Sequence, residues 1–323
     1  MRFAPFILAL LAAGVAHAQP VKLTFQSNWR AQAEHGGYYQ AVATGIYAKH
    51  GLDVTVRAGG PQINNPQLLA AGVIDFSMGS DSFNGLNFVK NNIPLVVVGS
   101  MFQKDPRVLL AHPGQGNDSL AALKGKPILI ASASRNNYWQ FLRAKYGYTD
   151  DQIRAYTFNL QPFFADPTVS QQAYLSSEPF QAQQQGVKAK FFLFADGGYP
   201  PYGSTIVTTE KMLAENPDVV ARFVKASLEG WRDYLKNPEP ANALIKVDNP
   251  KMTDAQIAYA IDKLKQTKAL DGGDAATSGI GIMTAARWKQ TYDFLVAANL
   301  LDPKTEWQKA FTDRFVKDLK IGF

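Results

Sequence analysis

There is no cysteine anywhere in the 323 residues. That absence removes a disulfide framework, thiolate metal sites and a cysteine nucleophile together. It also removes the residue that would carry the lipid of a lipoprotein. Histidine is scarce, and His35, His50 and His112 lie too far apart to match a metal-ligand spacing. Neither a phosphate-cradling glycine-rich lysine motif nor a Gly-x-Ser-x-Gly elbow occurs. Lysines and arginines are scattered, so the formal charge of +6 is not gathered into a nucleic-acid footprint. The expectation is a protein without catalysis, without cofactor or metal, and without a nucleic-acid partner.

Long apolar runs are missing too. Phe6 to Val15 is about half the ~20 residues that a membrane-spanning helix needs. With Arg2 before it and Ala16-His17-Ala18 after it, the run reads as a cleaved export signal. Residues 1–18 are therefore expected to leave, and a soluble mature chain to begin at Gln19 in the periplasm. The composition is that of an ordinary globular protein, 46% apolar and 19% charged. No internal repeat or low-complexity segment stands out.

Strands and helices alternate along the chain. Val21–Phe25, Leu52–Val56, Val73–Met78 and Ile93–Val98 read as strands, with a helix over residues 37–50 and shorter ones between. The pattern restarts at Arg107–Ala111 and continues through Pro127–Ala131, Ile153–Phe158, Gln172–Leu175, Phe191–Phe194 and Ser204–Thr208. After Glu210 the chain is nearly all helical, opening with an amphipathic helix from Pro217 that carries Val220, Phe223, Val224 and Trp231 on one face. Trp231, Trp288 and Trp307 are expected in the core. This predicts two α/β lobes with mostly parallel sheets, the second inserted into the first. Lobe 1 would comprise residues 19–110 and 205–323, and lobe 2 residues 111–204.

Open α/β sheets bind ligands beyond the carboxyl ends of their strands. Four loops qualify. Residues 27–39 contain Trp29, Glu34, His35 and Tyr39, with Gly36 and Gly37 to let backbone approach a ligand. Gly79 to Ser82 contains Ser80 and Asp81; residues 132–139 contain Ser134, Arg135, Asn137, Tyr138 and Trp139; Ser176 to Pro179 contains Glu178. Each has a plainer reading. Ser80, Asp81, Ser134 and Ser177 are standard helix caps, Tyr39 falls on an apolar helix face, and a lone histidine is more often structural. The convergence of aromatic and carboxylate residues after successive strands is what marks them.

The pattern Trp29-x4-Glu34-His35-x-Gly37-x-Tyr39-x-Ala41-x3-Gly45-x-Tyr47-x3-Gly51-Leu52-Asp53-Val54 resembles the opening signature of the thiamine-pyrimidine-precursor branch of the sulfonate, nitrate and taurine receptor superfamily. Gly72-Val73-Ile74-Asp75-Phe76 and Tyr174-x3-Glu178-Pro179-Phe180 match later features of that family. The likeness covers residues 21 to 235, and the C-terminal helices agree in kind only. It implies a type II periplasmic-binding-protein fold, and a monomeric receptor serving a membrane-embedded ABC permease with its ATPase subunits. A fungal pyrimidine synthase of the same fold carries a cysteine-rich motif that this chain lacks.

Two ligand classes are separable by chemistry. An anion such as a sulfonate, taurine or nitrate needs backbone N–H groups, hydroxyls and preferably a cation; Ser80, Ser134 and Arg135 could serve it. A planar heterocycle needs stacking faces and partners for ring nitrogens and amines; Trp29, Tyr138, Trp139, Glu34 and Glu178 could serve that. Two carboxylates in one pocket would repel an anion. The heterocycle, a thiamine pyrimidine precursor or a comparable flavin-like ring, is the expected ligand, and the anion is the alternative.

Overall fold

The computed structural model describes residues 19–60, 63–135, 137–157 and 159–322. The expected export signal lies outside the described residues, as does Phe158, the expected end of the strand Ile153–Phe158. Among the described residues ten strands form two five-stranded sheets. The first contains β1 (Val21–Gln26), β2 (Leu52–Arg57), β3 (Phe76–Asp81), β4 (Leu95–Phe102) and, much later, β10 (Gly203–Thr209). The second contains β5 (Arg107–Ala111), β6 (Ile128–Ile130), β7 (Ile153–Ala155), β8 (Ser170–Tyr174) and β9 (Lys190–Leu193).

Their strand orders are β2-β1-β3-β10-β4 and β7-β6-β8-β5-β9. These are one topology used twice. β1 pairs in parallel with β2 and β3, and β6 with β7 and β8. β10 runs antiparallel to both neighbours, β3 and β4, and β5 does the same between β8 and β9. Each antiparallel strand is the one by which the chain arrives from the other sheet. The expected parallel sheets thus each carry one reversed strand.

The first crossing therefore falls at residues 103–106, ahead of Arg107–Ala111. Sequence reading placed residues 107–110 at the end of the first lobe, with the crossing near Leu109 to Pro113. A strand buried along its whole length looks the same in either sheet; the usable signal was the polar break Gln103-Lys104-Asp105-Pro106 before it. The return crossing runs through 194–202, which includes Pro200-Pro201.

Two other boundaries moved for local reasons. β3 starts at Phe76, because Val73 belongs to the end of the helix Asn65–Ala70. Its N–H donates to Leu68 O at 3.0 Å and that of Gly72 to Leu69 O at 3.0 Å, a Schellman closure with Gly72 at φ +67°. The expected helix over 37–50 is split into Gly36–Ala43 and Ile46–Lys49 by Gly45, whose φ of +69° leaves the right-handed helix.

The helix Pro217–Lys236 anchors the first sheet. Phe223 stacks on Phe76 with ring centroids 4.0 Å apart, and Phe25 stacks on Tyr38 at the same separation. Trp231 and Trp288 are fully buried, as their helical positions suggested. Trp288 stacks on Phe311 at 4.7 Å, tying the C-terminal segment to the helix Ala285–Ala297. The carboxyl ends of β1, β3, β6 and β8, with the loops and helix starts that follow them, supply residues to one crevice.

Candidate functional site

A cavity of about 230 Å³ lies where those strand ends face one another. After β1 come Asn28, Trp29, Gln32, Glu34 and His35; Met78 and Ser80 come from β3. The second sheet contributes Arg107 from the start of β5, Ser134 and Tyr138 after β6, and Tyr156 after β7. Gln172, Ala173, Tyr174, Ser177 and Glu178 come from β8 and the loop beyond it. A wider depression of about 510 Å³ lies at the amino end of β4, but its Lys309 is paired with Glu306 and its Lys90 donates to Leu300 O. The crevice cavity is the better candidate.

The first loop is held in place by its own backbone partners. Ser27 Oγ donates to Trp29 O at 2.7 Å and accepts from Gly59 N at 3.0 Å. Gly59 N also donates to Trp29 O, and a Cβ on Gly59 would stand 2.3 Å from Ser27 O. Glycine is required there. The short turn Ala33–His35 then turns Glu34 and His35 inward. Glu34 accepts a hydrogen bond from Ser176 Oγ, which joins the two sheets across the crevice.

Trp29, Glu34, His35, Ser80, Tyr138 and Glu178 all line this one cavity. Asp81 and Asn137 stand one layer behind. Asp81 caps the helix Ser82–Lys90 through Phe83 N at 2.9 Å, and its second oxygen accepts from Arg107 Nη1 at 2.5 Å. Asn137 Oδ1 accepts from Tyr199 OH at 2.7 Å and from Arg107 Nη1 at 3.1 Å.

Tyr39 and Trp139 are corrections: both stand in the core, away from the cavity. Tyr39 points to the other side of its helix, where its hydroxyl donates to Asp248 Oδ2 at 2.6 Å. The Trp139 indole donates to Asp150 Oδ1 at 2.8 Å and packs edge-on against Tyr148. One residue earlier, Tyr138 takes the inward direction, because adjacent helix positions differ by about 100°. Gly36 and Gly37 are corrected as well. An added Cβ would strike the Tyr234 ring at 2.2 Å or the Trp231 ring at 2.1 Å, so these glycines admit the Pro217–Lys236 helix and not a ligand. Ser177 precedes the helix Glu178–Gln184 but makes no side-chain cap bond.

Sequence reasoning passed over Arg107, Tyr156 and Gln172. Arg107 had a signal: a charge opening an otherwise apolar strand, two residues after Asp105. Its guanidinium pairs with Asp81 and lies 3.6 Å from Asp105, with both carboxylates fully buried. It also sits 5.7 Å from the Tyr138 ring centroid. One cation matched by two aspartates offers little to an incoming anion. Arg135, the expected anion partner, is exposed and does not line the cavity.

Burial sets the proton affinities. It pushes the Glu178 carboxyl up to about 7, against the opposing pull of the N–H groups of Tyr174 and of its own residue, and nearby Glu34 pushes it further. Glu34 is also raised by burial, which outweighs the Ser176 hydroxyl. His35 is lowered to about 4 by burial and is a neutral imidazole. Its Nε2 lies 3.4 Å from Asn28 Oδ1, while its buried Nδ1 has no hydrogen-bond partner among the described residues.

A stability consequence has a definite sign. A carboxyl whose folded pKa is raised favours the protonated native state, so its contribution is complete below the unfolded value near 4.5 and is lost as pH rises through about 7. For Glu178 the loss between pH 5 and 8 is at most about 3 kcal/mol, an upper bound because the carboxyl opens on the cavity. Urea unfolding of the parent and Glu178→Gln at both pH values should show the extra loss in the parent alone. Equal losses would remove Glu178 as its source.

Residues 32–241 match the model of the family described as NMT1/THI5 like. The chain belongs to the NMT1/THI5 like family. Within reach of that family are two relatives along nearly the whole chain. The riboflavin-binding protein RibY of Chloroflexus aurantiacus is 26% identical over 317 residues, covering 94% of this chain and 89% of the relative. The formylaminopyrimidine-binding protein of Halalkalibacterium halodurans is 23% identical over 300 residues, covering 88% of each. Among solved structures, the periplasmic aliphatic sulphonate binding protein SsuA of Escherichia coli superposes with a TM-score of 0.69 at 15% identity, over 90% of this chain and 92% of that one. The two-sheet α/β architecture is thus the periplasmic-binding-protein fold that such structures share.

Proposed function

We propose that this protein is the periplasmic substrate-binding component of an ABC importer and that it captures a small planar heteroaromatic solute. The carrying observation is the lining of the crevice. Trp29 and Tyr138 supply aromatic surface, and Glu34 and Glu178 supply carboxyl groups from opposite sheets. The lining guanidinium, Arg107, is already matched by Asp81 and Asp105. Such a lining favours amines and ring nitrogens over a sulfonate. Likeness to SsuA at 15% identity bears on the fold alone.

Size adds a second criterion. The cavity of about 230 Å³ is below the ~300–1,000 Å³ usual for drug-sized ligands. A single ring suits it better than the three fused rings of a flavin, which supports a thiamine pyrimidine precursor over riboflavin. In this reading residues 1–18 direct export, the receptor acts as a monomer, and the permease with its ATPase subunits receives the loaded form. No group in the crevice is assigned a catalytic role.

Thermal shift and titration calorimetry with 4-amino-5-hydroxymethyl-2-methylpyrimidine, riboflavin and taurine test this. The aminopyrimidine should raise the melting temperature. Glu178→Ala should weaken it by about 1.5–3 kcal/mol, the range for a hydrogen bond to a charged group. Taurine binding to a protein that ignores the aminopyrimidine, and tighter taurine binding in Glu178→Ala, would overturn the assignment in favour of an anion receptor.

A further inference from the structure

Glu34 and Glu178 line the same cavity from different sheets, and among the described residues neither is paired with a cation. Glu34 follows β1 and is bound by Ser176 Oγ. Glu178 follows β8 and accepts from Tyr174 N at 2.8 Å and from Tyr156 OH at 3.4 Å. Among the described lining residues the one arginine, Arg107, is spent on Asp81 and Asp105. The other titratable neighbours are His35 and the phenols of Tyr138, Tyr156 and Tyr174, with Tyr234 behind Glu34. Burial keeps every one of them neutral, raising the phenols and lowering the imidazole. His35, which lines the cavity, is 2% exposed, and its buried Nδ1 has no hydrogen-bond partner among the described residues.

Closing a neutral ring into this cavity would enclose two carboxylates with no counter-charge. Two facing carboxyl groups without one titrate as a coupled pair that retains a proton. We infer that the site takes up one proton from solvent together with its ligand and holds it on the Glu34–Glu178 pair or on the ring nitrogen between them. This rests on the heterocycle reading above. With one proton, one carboxyl donates to a ring nitrogen while the other accepts from an exocyclic amine. The step makes one O–H or N–H bond at the site and breaks one in the buffer acid or hydronium that supplies the proton, and the ligand skeleton is unchanged. Burial already draws both carboxyls toward the protonated form before ligand arrives.

Calorimetry of the full mature chain with 4-amino-5-hydroxymethyl-2-methylpyrimidine, at pH 8 in phosphate and in Tris, measures the proton count directly. Close to one proton should be taken up, and above pH 7 Kd should weaken by about tenfold per pH unit. Glu178→Gln, with a fixed donor and acceptor, should flatten that profile, and Glu34→Gln should lower its midpoint. Binding with a flat profile and no proton exchange overturns the inference and leaves the ligand reading standing. If the pyrimidine does not bind, infrared titration of the empty protein decides. A protonated-carboxyl band lost near pH 7 in the parent and absent in Glu178→Gln keeps the proton-holding pair and removes the ligand reading; no such band overturns the pair.

Discussion

Replacing Arg107 with methionine should lower the folding free energy by about 3–5 kcal/mol, the range for removing one partner of a buried ion pair. Arg107 is 8% exposed, and Asp81 and Asp105 are 0% exposed. Its Nη1 is shared among Asp81, Asn137 and Tyr199, from the end of β3, the loop after β6 and the return crossing. Without it, two carboxylates remain in a dry environment. Asp105 is already held up at about 6 by burial even with the guanidinium beside it. The loss should therefore shrink as pH falls from 7 to 5, where Asp105 binds a proton that neutralises the excess charge. Urea unfolding at the two pH values measures this. Adding Asp81→Asn to the variant should recover part of the loss, since the vacated partner is then uncharged. A single variant as stable as the parent at pH 7 would mean the trio carries no electrostatic load.

The strand-end rule explains why half of the crevice was legible before the structure. Trp29, Glu34, His35, Ser80 and Glu178 each follow or close a strand that its apolar pattern marks clearly. Direction around a helix was harder. Tyr138 and Trp139 are adjacent aromatics at the same strand-to-helix junction, and only packing against Tyr148 and Asp150 assigns the second to the core. Tyr39 was ambiguous for the same reason, its partner Asp248 lying more than two hundred residues away. Gly36 and Gly37 were read as room for a ligand, although the room is filled by Tyr234 and Trp231 from a distant helix. Arg107 was overlooked because a buried ion trio has no local periodicity; Asp81, Asp105 and Arg107 converge through sheet topology alone. That same topology moved β5 into the second sheet. Local pattern thus located strand ends, while long-range pairing decided what faces the cavity.

Trp139 gives the sharpest separation between structural and binding roles. The ring is fully buried, meets Tyr148 edge-on with centroids 5.6 Å apart, and donates its indole N–H to Asp150. Trp139→Ala should cost about 3–5 kcal/mol of stability through the cavity it leaves. Trp139→Phe keeps most of the ring packing and loses one hydrogen bond, so about 0.5–1.5 kcal/mol should be lost. Asp150 is largely exposed and can be rehydrated, which keeps that cost at the low end. In neither variant should the intrinsic affinity for the aminopyrimidine change by more than about threefold once the folded fraction is accounted for, because the indole does not reach the cavity. Tyr138 is the matched comparison: its hydroxyl donates to Gln172 Oε1 at 2.8 Å and its ring borders the cavity. Tyr138→Ala should therefore weaken the pyrimidine where Trp139→Phe does not. Unfolding curves paired with calorimetry on the same preparations give both quantities. A folded Trp139→Phe variant that binds the probe ten times more weakly than the parent would return that tryptophan to the site.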